Sequence, residues 1–417
     1  MKKKIHPHLL FSDEKGNIYD HPHLLMVCRK GNEFVLPRPD ELIELPDESE
    51  LFFLPGRRAV GYNPDTGKTE VLDELAVSAF IAPAYTLCSH AAYVKEKDAP
   101  VLPLFAYAPV GYFKGKLYVC AKKVDEDKRQ VFKNISPKKI SSAVHDMLKK
   151  YPQNRLIFHL SKCALTYGCP AAKNFALGRF EAPIPTSTSC NARCIGCISY
   201  QPKESKIPVT QDRIKFTPTP EEILEVMEIH ASREKRPIFS FGQGCEGEPL
   251  TQWKKIVKAV KLYRSKGGIG TININTNGSI TEAIEPLARA GISSLRISLN
   301  SANSKFYEKY YRPNGYQFQN VVDSIMVAKK MGLFISLNLL FFPGITDTES
   351  ELEFLMGLIE KTKLDFIQLR NLNIDPDIYL SLITTNSPCM GLSNFIKRLK
   401  KNFPWLKFGY FNPFIER

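Results

Sequence analysis

The sequence predicts an α/β protein: a partial (β/α)6 parallel barrel over residues 182–417, preceded by a smaller α+β accessory domain over residues 1–181. Periodicity is the first observation behind this fold. After residue 180, apolar strand patterns alternate with helical ones six times, with no hairpin signals between successive strands. Such strands pair in parallel through right-handed crossovers, which lays helices over the sheet. Six units suit a partial barrel better than a closed eightfold one. The second observation is the contrast before residue 180, where short β-type runs are split by turn residues. The third is size: 417 residues at 43% hydrophobic can bury two or three cores.

In chain order, the accessory domain offers strands at residues 33–36, 51–54, 102–109 and 116–121, bounded by Lys30-Gly31-Asn32, Asn63-Pro64-Asp65 and Lys114-Gly115. A Ser-Pro start precedes a helix over 138–150 with Ile140, Val144, Met147 and Leu148 on one face. The segment His6-Pro7-His8-Leu9-Leu10 recurs as His21-Pro22-His23-Leu24-Leu25, which reads as two strand-edge or turn segments around Gly16-Asn17, with a metal clip as the alternative. The barrel strands fall at 182–187, 238–242, 271–276, 294–300, 334–341 and 366–369. Helices are expected at 220–232, 251–266, 280–290, 318–331, 347–361 and 392–401. Ligands of such a sheet belong at the C-terminal ends of its strands.

Composition narrows the function classes. At 24% charged and 11% aromatic, the chain is neither disordered nor collagen-like nor a coiled coil. The apolar stretch at residues 75–87 contains a proline and is well short of the ~20 residues of a bilayer span, so no membrane partner is expected. The basic start at residues 2–4 has no apolar run behind it, which argues against a secretory signal and for the cytoplasm. Ten cysteines in a reducing compartment point to metal or redox chemistry rather than to disulfides. The net charge of +14 makes RNA a candidate partner. Basic residues gather only at 2–4, 122–139 and 397–401, while 40–50 is acidic, so solvated surface charge is the plainer reading.

The first barrel strand runs into a C-x3-C-x2-C triplet, Cys190, Cys194 and Cys197. Three thiolates on one loop can hold three irons of a cubane cluster and leave the fourth open to a ligand. A structural zinc would want a fourth ligand, and no cysteine or histidine follows until His230. Further motifs end the next strands. The second ends in Gly242-Gln243-Gly244-Cys245-Glu246-Gly247-Glu248-Pro249, the third in Asn275-Thr276-Asn277-Gly278, and the fifth in Phe342-Pro343-Gly344-Ile345. On the fourth, alternation puts Arg296, Ser298 and Asn300 on one face.

A triplet in this place resembles the radical S-adenosylmethionine (SAM) superfamily, over roughly residues 182–404. The resemblance implies a 4Fe-4S cluster on Cys190, Cys194 and Cys197, with SAM at its open iron. It gives the SAM amino group to the turn of Gly242, Gly244, Glu246, Gly247 and Glu248, where glycines admit backbone carbonyls and acids complement charge. Asn275 and Asn277 belong to the adjoining turn, Ser298 and Asn300 take ribose and carboxylate roles, and Ile345 lies near adenine. One departure is Gly196, where most relatives carry an aromatic residue against adenine, which leaves Ile198 or Tyr200 to pack it.

The implied activity is reductive cleavage of SAM, with an electron from flavodoxin or ferredoxin, to a 5′-deoxyadenosyl radical that abstracts hydrogen from substrate under anaerobic conditions. The substrate is a small molecule or cofactor precursor, or RNA. Only Cys389 lies beyond the fifth strand, so the cysteine-rich extension of peptide-modifying relatives is missing. The alternative is a non-catalytic iron–sulfur electron carrier or nucleic-acid-binding module. Cys163 and Cys169 are candidate ligands of a second iron–sulfur cluster, with Cys88 and Cys120 as partners, against the plainer reading of packed thiols. Cys245 is a candidate catalytic hydrogen donor, a cluster ligand or a packed thiol.

Overall fold

Turn chemistry and alternation build the N-terminal half of the computed structural model, which describes residues 5–416; the basic run at 2–4 lies outside them. Asn63 Oδ1 accepts the Asp65 amide at 2.9 Å, an Asx turn that folds the long strand Glu50–Asn63 back on Lys68–Phe80. The two histidine repeats lie on paired antiparallel strands, His8–Ser12 and Ile18–Met26, with His8 Nδ1 2.8 Å from the His21 carbonyl. Among the described residues they form no metal-ligating group. These strands join a nine-stranded antiparallel sheet. The run 102–109 becomes a strand only at Ala108–Phe113, because the Leu102 amide donates instead to Asp375 at 3.0 Å and prolines 100 and 103 carry no amide.

The acidic stretch 40–50 lies against the basic stretch 122–139. Glu48 Oε1 accepts the amides of Phe132 and Lys133 at 3.1 Å each, and Lys133 pairs with Asp47. Of the basic stretch, Lys133 is thereby paired within the chain. Among the described residues, no helix is long and apolar enough to cross a membrane.

Three helices lead to the barrel: α1 (Pro137–Lys150), α2 (Arg155–Leu165) and α3 (Pro170–Leu177). Ser136 caps α1 and Asn154 caps α2 through side-chain oxygens that accept backbone amides, and Gly178, at φ +65°, ends α3. The sequence reading expected only α1, since 156–179 lacks the acidic residues that mark a helical charge pattern.

The barrel is a seven-stranded parallel sheet in sequence order: β1 (Glu181–Ile184), β2 (Ile238–Phe241), β3 (Thr271–Thr276), β4 (Ser294–Leu299), β5 (Phe334–Phe341), β6 (Phe366–Asn371) and β7 (Lys407–Gly409). Its outer helices are α4 (Pro220–Ala231), α5 (Trp253–Ser265), α6 (Ile284–Ala290), α7 (Ser304–Tyr311), α8 (Phe318–Lys330), α9 (Glu349–Thr362), α10 (Pro376–Leu382) and α11 (Leu392–Asn402). β1 and β7 are not paired with each other, so the barrel is partial. β1 stops three residues before its predicted end because the amides of Thr186 and Ser187 turn to the Glu246 carboxylate, at 2.7 and 2.9 Å. The N-terminal sheet docks on the C-terminal ends of β5 and β6. Thr86 Oγ1 donates to the Leu369 carbonyl at 2.7 Å, and the Gly31 amide to the Pro343 carbonyl at 3.1 Å.

A candidate cluster and cofactor site at the barrel mouth

The loop after β1 is shaped by bonds to its own chain. The amides of Arg193 and Ile195 donate to the carbonyls of Tyr311 and Tyr310, at 2.9 and 3.1 Å. The Gln201 side-chain amide donates to the Ile195 and Cys197 carbonyls, at 3.0 and 2.9 Å. Held this way, Cys190, Cys194 and Cys197 line a cavity of about 330 Å³ at the C-terminal ends of the strands. Burial pushes the Cys190 thiol up to about 11 and raises the Cys194 thiol too, with the neighbouring thiols adding to the Cys194 shift. Arg213 Nη2, 3.4 Å from Cys197 Sγ, is a nearby cation. Three thiols on one loop, with Cys190 and Cys194 held protonated by burial when alone, suit a polynuclear cationic centre that would bind them as thiolates.

The glycine turn after β2 is pressed against both neighbours. Gly242 has φ +77°, and a Cβ there would lie 1.8 Å from the Asn275 carbonyl oxygen; one on Gly247 would lie 1.9 Å from that of Ser189. Glu246 accepts four amides, from Gly242 and Gln243 on one oxygen and from Thr186 and Ser187 on the other, all within 2.9 Å. Glu248 accepts the amides of Leu250 and Asn277, at 3.0 and 2.9 Å, and the Thr276 hydroxyl. Burial pushes both carboxyls up to about 7, against these donors. Both side chains line the cavity, but their first work is to staple three strand-end loops together.

Of the residues singled out in the sequence, the cavity collects Cys190, Cys194, Cys197, Gly242, Gly244, Glu246, Gly247, Glu248, Asn275, Asn277 and Ser298. The others lie elsewhere. Asn300 is buried behind the wall, where its amide faces the Phe306 carbonyl at 3.2 Å and the Tyr379 hydroxyl at 3.3 Å; it follows the last residue of β4, past the alternation that pointed it inward. Ile345 is buried in the core, in the turn that the N-terminal sheet covers. Cys245 turns away from the cavity into an apolar cluster with Cys163 and Ala164, which removes it as a hydrogen donor to substrate. Cys88 and Cys120 pack with Cys28 in the main core, apart from Cys163 and Cys169, so those four thiols do not form one ligand set.

The structure adds residues that the motifs missed. Asn338 on β5 lies 3.3 Å from Ser298 Oγ, while its own Oδ1 is buried without a partner and so suits a polar ligand. Strand alternation through Ser336 and Asn338 was the available signal. Tyr310 of α7 lines the cavity with its hydroxyl 2.3 Å from where a Gly196 Cβ would stand, so its side chain occupies the space beside Gly196. Ile198 lines the cavity, whereas Tyr200 is exposed over Arg213. Arg296, which strand alternation had already placed beside Ser298, and Arg370, which no motif marked, complete the wall.

Residues 184–355 match the family model of the Radical SAM superfamily. Among curated proteins, the chain is 30% identical over 215 residues to the GTP 3',8-cyclase of Lactiplantibacillus plantarum, covering 51% of this chain and 59% of that protein. It is 29% identical over 189 residues to Molybdenum cofactor biosynthesis protein 1 of Drosophila melanogaster, covering 45% and 31%. The chain therefore spans less than two thirds of either relative. A solved radical SAM methyltransferase from Sphaerobacter thermophilus aligns over 56% of this chain and 67% of its own, at 14% identity and a TM-score of 0.40. The family match runs from the last residue of β1 into α9 and takes in the cysteine loop and the turns after β2, β3, β4 and β5, so residues 184–355 carry a radical SAM domain.

Proposed function

We propose that the chain is a radical SAM enzyme whose substrate is a small polyanion of the nucleoside triphosphate class, a cofactor precursor rather than RNA. The observation that carries this reading is the pair of arginines in the cavity wall, Arg296 and Arg370. Arg296 Nη1 donates to Gln368 Oε1 at 3.0 Å and Arg370 Nη1 to the Tyr410 carbonyl at 3.2 Å, while among the described residues neither makes an ion pair within 4.0 Å. Burial, helped by the Arg370 charge, draws Arg296 down to about 9, and its Nε is buried without a partner. Two guanidiniums without carboxylates on one wall suit phosphate oxygens. The printed names of the curated relatives, GTP 3',8-cyclase among them, support the same class.

A 4Fe-4S cluster, when bound, would supply one-electron reduction of SAM, with a flavodoxin or ferredoxin as the proposed electron source. The residues of this chain orient and shield. Cys190, Cys194 and Cys197 would hold the irons; the turn at 242–248 would present backbone groups to the amino end of SAM; Ser298 and Asn338 would offer polar side-chain atoms beside it. Tyr310 and Tyr311 close the side next to the cysteine loop. Residues 1–181 act as an accessory domain that buttresses the ends of β5 and β6 at one side of the mouth.

The test is anaerobic incubation of reconstituted protein with SAM and dithionite, with and without GTP and the other nucleoside triphosphates. The reading expects 5′-deoxyadenosine release that rises with the right triphosphate. Arg296→Met and Arg370→Met should each raise its KM about tenfold or more, leaving triphosphate-independent SAM cleavage in place. No 5′-deoxyadenosine under any condition would instead favour an electron carrier. Release indifferent to every triphosphate and to both substitutions would remove the polyanion reading alone.

A further inference from the structure

A second set of metal-ligating side chains lies outside the barrel mouth. His159 and Cys163 are four residues apart on α2 and so share one face of that helix. Cys245 reaches them from the turn after β2. The ligand atoms of all three lie within 4.8 Å of one another, and Cys163 Sγ stands 3.5 Å from His159 Nε2. A sulfur at about 2.3 Å and a nitrogen at about 2.0–2.1 Å from one zinc, at the tetrahedral angle, are about 3.6 Å apart. The His159–Cys163 pair already has that edge length.

Both sulfurs are shut away from water, Cys163 at 1% and Cys245 at 5% exposure, while His159 sits at the rim. Packing alone accounts for buried thiols, but not for an imidazole nitrogen directed at one of them. Cys169 belongs to the same apolar cluster, and its amide donates to the Cys163 carbonyl at 3.0 Å.

We propose that His159, Cys163 and Cys245 bind a single tetrahedral zinc ion, with Cys169 the neighbouring thiol for the fourth position. A cubane spreads its thiolates over separate irons, and this compact trio suits one ion instead. The ion ties α2 to the turn whose next residue, Glu246, gathers amides from both sides of the mouth. Because Cys245 is sequestered with α2, it serves assembly of the site rather than hydrogen transfer. The proposal does not depend on the substrate.

Full-length protein in which Cys190, Cys194 and Cys197 are all alanine isolates the second site. Purified with zinc in the medium and desalted, it should carry about one zinc per chain by elemental analysis. Adding His159→Gln or Cys163→Ser should lower that occupancy at least tenfold. In the wild-type chain, stripping zinc with a chelator should lower the melting temperature, and zinc alone should restore it, a readout that needs no folded variant. Zinc below about a tenth of an equivalent in both proteins would overturn the proposal. So would iron with acid-labile sulfide retained in the triplet-deleted protein, or an intact mass two hydrogens light with Cys163 and Cys245 resistant to alkylation.

Discussion

Arg57 and Asp375, 318 positions apart, form an ion pair of 2.7 Å in which both side chains are fully buried. Arg57 also donates to the Pro55 and Pro100 carbonyls, and Asp375 accepts the Leu102 amide and caps α10. The pair fastens the N-terminal sheet to the loop after β6.

Asp375→Ala leaves a buried guanidinium unpaired and should cost about 3–5 kcal/mol in urea unfolding. Adding Arg57→Met should recover part of the loss. A double variant no more stable than the single one would place the cost in the lost helix cap.

Two glycines should respond to alanine with opposite signs. At Gly247 a Cβ falls on the Ser189 carbonyl, so Gly247→Ala should displace the cysteine loop and cut iron incorporation severalfold while the far-ultraviolet circular dichroism is kept. At Gly357, in the middle of α9, a Cβ meets nothing within 4 Å, so alanine should stabilise by about 0.5–1 kcal/mol. Normal iron loading in Gly247→Ala would mean that the loop can yield.

Ser298 and Asn300 should separate cleanly. Ser298→Ala should weaken SAM binding by calorimetry about five- to tenfold, a lost hydrogen bond of about 1–1.5 kcal/mol, with unchanged melting. Asn300→Ala removes the side chain that faces the Phe306 carbonyl and the Tyr379 hydroxyl, and should cost about 1–3 kcal/mol of stability with unchanged SAM affinity. The reverse pattern would put Asn300, not Ser298, in the cavity.

His90 makes a pH prediction. It is buried, both ring nitrogens lack partners, and burial first, then the nearby Arg29 charge, draws it from 6.5 to about 3. Below about pH 6.5 the unfolded chain binds a proton that the folded chain refuses, so the His90 contribution to stability is present at neutral pH and falls as pH drops toward 3. Between pH 7 and pH 5 the wild-type chain should lose about 2 kcal/mol more than His90→Leu, by urea titration at each pH. Parallel losses in the two proteins would mean that His90 titrates normally.

The strands of the barrel were legible because six apolar runs of parallel-sheet length carry their own signal; β3 and β5 begin and end where periodicity put them. β7 was not, since three residues that include Lys407 and Gly409 show no apolar run and pair only because β6 offers an open edge. The cysteine loop is local in sequence, so its chemistry was readable. The arginine wall is not: Arg370 joins Arg296 across strands β4 and β6, a relation that exists only after the sheet curls. Likewise the thiols near Cys163 could be counted but not paired, because Cys245 arrives from a loop 82 residues later.

Gln201 gives the cysteine loop a property that bears on how a metal centre is installed. With one side-chain amide bridging two loop carbonyls, and with the Tyr310 and Tyr311 carbonyls receiving two loop amides, the loop that carries the thiols is braced at four points by the chain itself. Little conformational entropy then remains to be lost when iron arrives, so loading becomes a capture by a waiting receptacle rather than a coupled folding event. Its rate should accordingly track the supply of iron and sulfide, and a chain stripped of its iron should reload without first refolding.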